Sequence, residues 1–162
     1  MTKGPATKDG ASVRIPPPVS GILTIVAGYV IGRFVPLLTA YELGTPGRYW
    51  IGAIIILSAN VLLGIWPLRQ FKRIEQDPTP WTATPEIIVH GPYKFSRNPM
   101  YLMMLIICVG FAVIFSEVWI VILIPVLAIV LYHTAIKHEE AYLEEKFGES
   151  YLAYKNTVRR WI

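Results

Sequence analysis

Residues 90–136 read HGPYKFSRNPMYLMMLIICVGFAVIFSEVWIVILIPVLAIVLYHTAI. The first dozen, His90 to Tyr101, form a polar, basic run rich in turn residues. Two apolar segments follow, Pro99 to Phe115 and Val118 to Ile136, and only Ser116-Glu117 separates them. Each comes near the roughly 20 residues a helix needs to cross hydrocarbon, the first of the pair being short. So brief a break predicts a tight helical hairpin. A second polar run, His138 to Tyr154, follows the hairpin. Polar residues at the mouth of a membrane hairpin, on both arms, point to a ligand site.

Working outward, the chain has 162 residues, of which 54% are hydrophobic and 16% charged. A soluble domain of this size carries roughly a quarter charged residues. The apolar excess predicts an all-α integral membrane protein. Two further spans are expected, from about Val19 to Ala40 and from about Tyr49 to Leu68, giving about four in all. Residues 1–18 read as a mobile tail, stiffened at its end by Pro16-Pro17-Pro18. Residues 19–162 read as one membrane domain, with 19–68 supplying the first two spans. The first span is too long for a cleaved signal peptide, and no small-residue cleavage site follows it. The loop containing Asp77-Pro-Thr-Pro80 and Pro85 is expected to be extended. From His138 to about Phe147 the pattern is amphipathic helix, with Gly148 as its C-cap. A short helix through Tyr151, Leu152 and Tyr154 is expected along the interface, with Trp161 at headgroup depth.

Composition also narrows the chemistry. The lone Cys108 excludes an intrachain disulfide and a cysteine metal cluster, and reads as a small buried hydrophobe. Net charge is +4, but the bases flank apolar segments and no nucleic-acid motif is present. That favours an anionic membrane surface as the partner.

Among individual residues, Arg97 sits in irregular backbone between Gly91-Pro92 and Asn98-Pro99. It is either a basic anchor at the membrane edge or a guanidinium fork for a carboxylate or phosphate. Glu139 and Glu140 come one turn past the last span. They are a solvated helix start or, if the hairpin brings them close to Arg97, carboxylates placed to bind an ammonium group. His133 and His138 are five residues apart and share no face well, so no metal site is expected. Arg33 and Asn60 are intramembrane polar groups that line a substrate path, snorkel, or join helices.

The two runs resemble the isoprenylcysteine carboxyl methyltransferase and phospholipid methyltransferase superfamily. His90-Gly-Pro-Tyr93 with Arg97-Asn-Pro-x-Tyr101 is similar to its His-Gly-x-Tyr and Arg-His/Asn-Pro-x-Tyr motifs. Glu139-Glu140-x-x-Leu143 with Phe147-Gly148-x-x-Tyr151-x-x-Tyr154 is similar to its C-terminal signature. The resemblance covers residues 85–158. It implies an enzyme using S-adenosylmethionine, bound between the two runs on the cytoplasmic side. His90, Gly91, Pro92, Tyr93, Arg97, Asn98, Pro99, Tyr101, His138, Glu139 and Glu140 are the implied cofactor-site residues. Arg97, with one of the two glutamates, is implied as essential. Arg33, Asn60 and Tyr151 are the candidate substrate contacts. Asn98 stands where the prenylcysteine branch has His, which is more like the phospholipid branch, and Lys94 stands where Arg is common. The expected acceptor is a membrane lipid or lipidated molecule, either an amine headgroup or a prenylated carboxylate.

Two rival readings remain at this stage. One is a membrane reductase using NADPH, although no nucleotide-binding residues are evident. The other is a noncatalytic lipid-binding protein of the same fold. Orientation follows from the bases. The N-terminal tail has Lys3, Lys8 and Arg14, and the middle loop has Arg69, Lys72, Arg73, Lys94 and Arg97. The C-terminal tail has Lys137, Lys146, Lys155, Arg159 and Arg160, while the opposite loops offer only Arg48. Both termini and the site are therefore expected on the cytoplasmic side. Cysteines placed in either tail, as in Lys3→Cys, are expected to resist an impermeant thiol reagent until the membrane is permeabilised. Labelling of intact cells would overturn this topology.

Overall fold

A computed structural model describes residues 16–35, 44–73 and 86–162. The tail residues up to 15, the first span's expected end beyond residue 35, and the proline loop at 77–85 lie outside the described residues. The described residues are helical, without strands: α1 Pro17–Phe34, α2 Gly47–Asn60, α3 Trp66–Arg73, α4 Pro99–Phe115, α5 Val118–Leu131, α6 Lys137–Phe147 and α7 Glu149–Thr157. One π-helical turn, Val61–Ile65, joins α2 to α3, and another, Tyr132–Ile136, joins α5 to α6. Two long helices result, Gly47–Lys72 and Val118–Phe147, both apolar enough to span a membrane, as is Pro17–Phe34. The apolar helix Pro99–Phe115 is shorter, at 17 residues. The protein is thus an integral membrane protein with three long apolar helices among its described residues.

Element boundaries differ from the sequence reading in three places. Helix α1 opens at Pro17, inside the expected tail, because proline is pre-shaped for a first helical turn. It closes at Phe34, so Arg33 falls in its last turn instead of mid-span. The amphipathic segment after Ile136 continues the last span without a break, because a π turn absorbs the change of face.

Helix α4 lies between α2 on one side and α5 with α1 on the other. Close approach is secured by small residues, as expected where lipid supplies no hydrophobic drive between helices. Gly28 of α1 lies against the Ile120 backbone, and Gly52 of α2 against the Gly110 carbonyl of α4. The hairpin turn closes by Schellman geometry: Ser116 N–H donates to Val113 O at 3.2 Å and Glu117 N–H to Ala112 O at 2.9 Å. Ser116 carries φ +52°, a value more often given to glycine. Arg48 Nη1 donates to the Ser116 hydroxyl at 3.3 Å, tying the start of α2 to this turn. Cys108, Ala112, Ile120, Leu127, Leu131 and Ile136 form the buried core. Phe34, Trp50, Ile54, Leu57, Val126 and Ile129 are exposed, as a lipid-facing belt requires.

The Gly28 contact yields a direct test. A Cβ there would meet the Ile120 backbone N and Cα at 2.7 Å, whereas one on Gly47 would meet nothing within 4 Å. Gly28→Ala is expected to cost about 1–3 kcal/mol by overpacking and to lower the melting temperature in micelles. Gly47→Ala is expected to leave it near wild type. Equal melting behaviour would refute the close approach.

Candidate functional site

The site forms where the start of α4 meets α6. Its first wall is the run before α4. Gly91 adopts φ +63°, and a Cβ there would come within 3.0 Å of Trp66 Nε1 and 3.2 Å of Gln70 Nε2. Glycine is therefore required both by the backbone and by the close packing of α3 on this loop. Pro92 and Pro99 are buried, His90 is exposed and His138 is half-buried. Pro99 stands in the first turn of α4, where its missing N–H costs nothing.

Hydrogen bonds then draw the C-terminal segment over this wall. Arg97 N–H donates to Arg159 O at 3.0 Å. The Ser96 hydroxyl and the Asn98 side-chain amide both donate to Arg160 O, each at 3.2 Å. Ser96 Oγ also accepts the Asn98 N–H at 3.1 Å. From α7, the Tyr154 hydroxyl donates to Tyr93 O at 2.7 Å. Gly148, at φ +54°, makes the bend that returns α7 to the loop.

At the centre is Glu140. Its Oε1 lies 3.2 Å from Arg97 Nη2, and the two side chains are 10% and 8% exposed respectively. Arg160 grips the same carboxylate twice, Nε to Oε1 at 2.9 Å and Nη2 to Oε2 at 2.9 Å. These bonds hold the Arg160 guanidinium above its ordinary pKa. Arg97 Nε and Nη1 are buried and have no hydrogen-bond partner among the described residues. Buried guanidinium donors without acceptors are costly, so this face of Arg97 suits an anion. Glu139 points to a different partner and accepts the hydroxyl of Tyr101.

Three phenols surround the carboxylates. Burial, then the charge of Glu140, pushes Tyr151 up to about 12. Burial raises Tyr154, and burial followed by the charge of Glu139 raises Tyr93. All three stay protonated near neutral pH, and Tyr154 uses its hydroxyl as a donor.

The expected residues separate by position. Arg97, Glu139, Glu140, Tyr93, Asn98, Tyr101 and Tyr151 come together, with Gly91, Pro92 and Pro99 shaping the loop. Asn98 is tied to the Arg160 carbonyl, and its buried side chain is engaged within the protein. Asn60 donates to Ile56 O at 2.8 Å within its own helix and lies one turn from Gly64, which packs on Met103. Arg33 is at the other end of the molecule, beside Gly32, which packs against the Glu117 carboxylate. That is about 25 Å from Arg97 along α4, at 1.5 Å rise per residue. Arg33 is set apart by this position from the Arg97–Glu140 cluster. It also joins Arg48 as a second base at the hairpin-turn end. Sequence reasoning missed Ser96, Gln70 and Arg160. Arg160 reads in sequence only as one more base in a basic tail.

The two signature runs thus meet at the mouth of an apolar hairpin, with Arg97 and the paired carboxylates between them. A family model for phospholipid methyltransferase matches residues 47–150, well over half of the chain. The chain belongs to the phospholipid methyltransferase family. A similar protein from Haemophilus influenzae, itself uncharacterized, is 40% identical over 65 residues, 39% of this chain and 100% of that protein. No solved structure matches. Family membership implies methyltransferase activity at a membrane, and Arg160 lies outside the matched region.

Proposed function

We propose that this protein is an S-adenosylmethionine-dependent methyltransferase acting on a lipophilic acceptor. The observation that carries the reading is the Arg97 guanidinium, buried with Nε and Nη1 unpartnered. An amino-acid end carries one carboxylate and one ammonium, and needs a guanidinium and a carboxylate close together. Arg97 supplies the first. Glu139 supplies the second, because Glu140 is already held on both oxygens by Arg160 and on one by Arg97. Tyr101 orients Glu139, and the Gly91 turn with Tyr93 forms the cradle. When bound, S-adenosylmethionine supplies a methyl group on a sulfonium, ready for in-line displacement.

The protein's own work is to hold, orient and dry the site. Buried Pro92 and Pro99, with the packed Tyr151 and Tyr154, keep water from the Arg97–Glu140 pair. The site opens at the edge of an apolar hairpin, which favours an acceptor arriving from the bilayer. Together with the family, Asn98 in place of His favours a phospholipid-type amine over a prenylated carboxylate. Asn98 cannot take the proton an amine must lose, so that proton passes to a nearby carboxylate, a His or water. Helix α4 completes four spans in this reading, with both termini and the site cytoplasmic.

Calorimetry in micelles tests the cofactor. S-adenosylhomocysteine is expected to bind, and NADPH is not. Arg97→Ala and Glu139→Gln are each expected to weaken binding about ten- to a hundredfold, the worth of one charge-assisted contact. Binding by both variants as tight as wild type would move the site elsewhere. The acceptor is tested separately with labelled methyl donor and amine headgroups of graded chain length. Longer chains are expected to outcompete shorter ones, at about 0.8 kcal/mol per buried methylene. Equal turnover of short, water-soluble amines would overturn access from the bilayer.

A further inference from the structure

Arg160 is the one charged side chain in this cluster that neither the signature runs nor the family match includes. We propose that Arg160 is a positioning residue: by gripping both oxygens of Glu140 it fixes the carboxylate that in turn aims Arg97. The proposal rests on the functional reading above and adds a role to it.

Four observations converge on Arg160. First, the grip is a two-pronged fork, with both contacts at 2.9 Å. Such parallel pairs fix direction as well as distance, because guanidinium and carboxylate are both planar. Second, Glu140 Oε1 is shared with Arg97 Nη2 at 3.2 Å. The orientation of Glu140 therefore decides which face of Arg97 is left open, and that face carries the unpartnered Nε and Nη1. Third, Arg160 is itself held from several sides. Its carbonyl accepts from Ser96 and Asn98, the neighbours of Arg97, and its guanidinium lies 4.7 Å over the Tyr132 ring. Tyr132 opens the π turn that leads into α6, and the next residue, Trp161, packs against the core. Fourth, Glu140 is left little capacity for a ligand. A carboxylate already meeting two guanidinium groups serves as a strut between them.

The arrangement also explains why two adjacent glutamates stand at this point. On a helix, neighbours in sequence point about 100° apart. Glu140 turns towards Arg97 and Arg160, and Glu139 turns towards Tyr101. One carboxylate builds the site and the other faces the ligand.

The test is a double-mutant cycle on the full chain in micelles, read as S-adenosylhomocysteine affinity. Arg160→Ala is expected to weaken binding about tenfold or more, as for a lost charged hydrogen bond. In a Glu140→Gln background the same change is expected to add little, because both substitutions break one strut. Arg160→Lys, which keeps the charge but not the fork, is expected to fall between wild type and Arg160→Ala. It carries the comparison if Arg160→Ala does not fold. Losses that multiply independently, or wild-type affinity in Arg160→Ala, would overturn the proposal. If wild type itself does not bind S-adenosylhomocysteine, the cofactor reading fails on its own. The ¹⁵N resonance of Arg97 Nε then decides the positioning role in the ligand-free protein. A shift in Arg160→Ala matching that in Glu140→Gln supports it, and an unchanged resonance refutes it.

Discussion

Glu140 carries a negative charge in a place where water scarcely reaches, and that constraint organises the cytoplasm-proposed end of the molecule. A buried carboxylate survives as an ion only when paired and hydrogen-bonded. Two guanidinium groups meet the need here, one from the loop before α4 and one from the segment after α7. The Arg97 arm is the buried one, where losing a partner is costly, whereas Arg160 is 34% exposed and partly screened by water. The pairing therefore locks three stretches of chain together: the run before the hairpin, the helix after it and the C-terminal segment.

The helices supply the platform that makes the lock possible. Glycines at the crossings of α1 with α5 and of α2 with α4 let the backbones approach to contact. The Ser116 turn reverses the chain within two residues, so the start of α4 and the continuation of α5 come back to the same level. The π turn at Tyr132–Ile136 re-aims the last long helix just before the glutamates. A straight helix would place Glu139 and Glu140 on other bearings.

Chemically, the cluster divides labour by how fully each group is satisfied. Glu140 meets two guanidinium groups, whereas Arg97 keeps two buried donors open, so in the proposed reading the structural and ligand-facing roles fall to different residues. The raised tyrosines around them remain protonated across the neutral range, and they add no charge that would compete for Arg97.

Much of this was legible in the sequence. The hairpin followed from two apolar segments split by Ser116-Glu117, and the meeting of Arg97 with the glutamates followed from the antiparallel hairpin. Gly148 as a cap and the helix through Tyr151 and Tyr154 followed from local backbone preference. These properties depend on neighbours in the chain, where composition and spacing speak directly. Only the tertiary structure decided which glutamate meets two guanidinium groups, that Asn98 bonds the C-terminal segment, that Arg33 stands at the far end, and that Arg160 grips Glu140. Each of those depends on contacts between residues about 20 or more positions apart. A basic residue in a basic tail looks the same in sequence whether it faces solvent or closes a buried ion pair. Burial, which no local pattern encodes for a single charged side chain, is what separates the two.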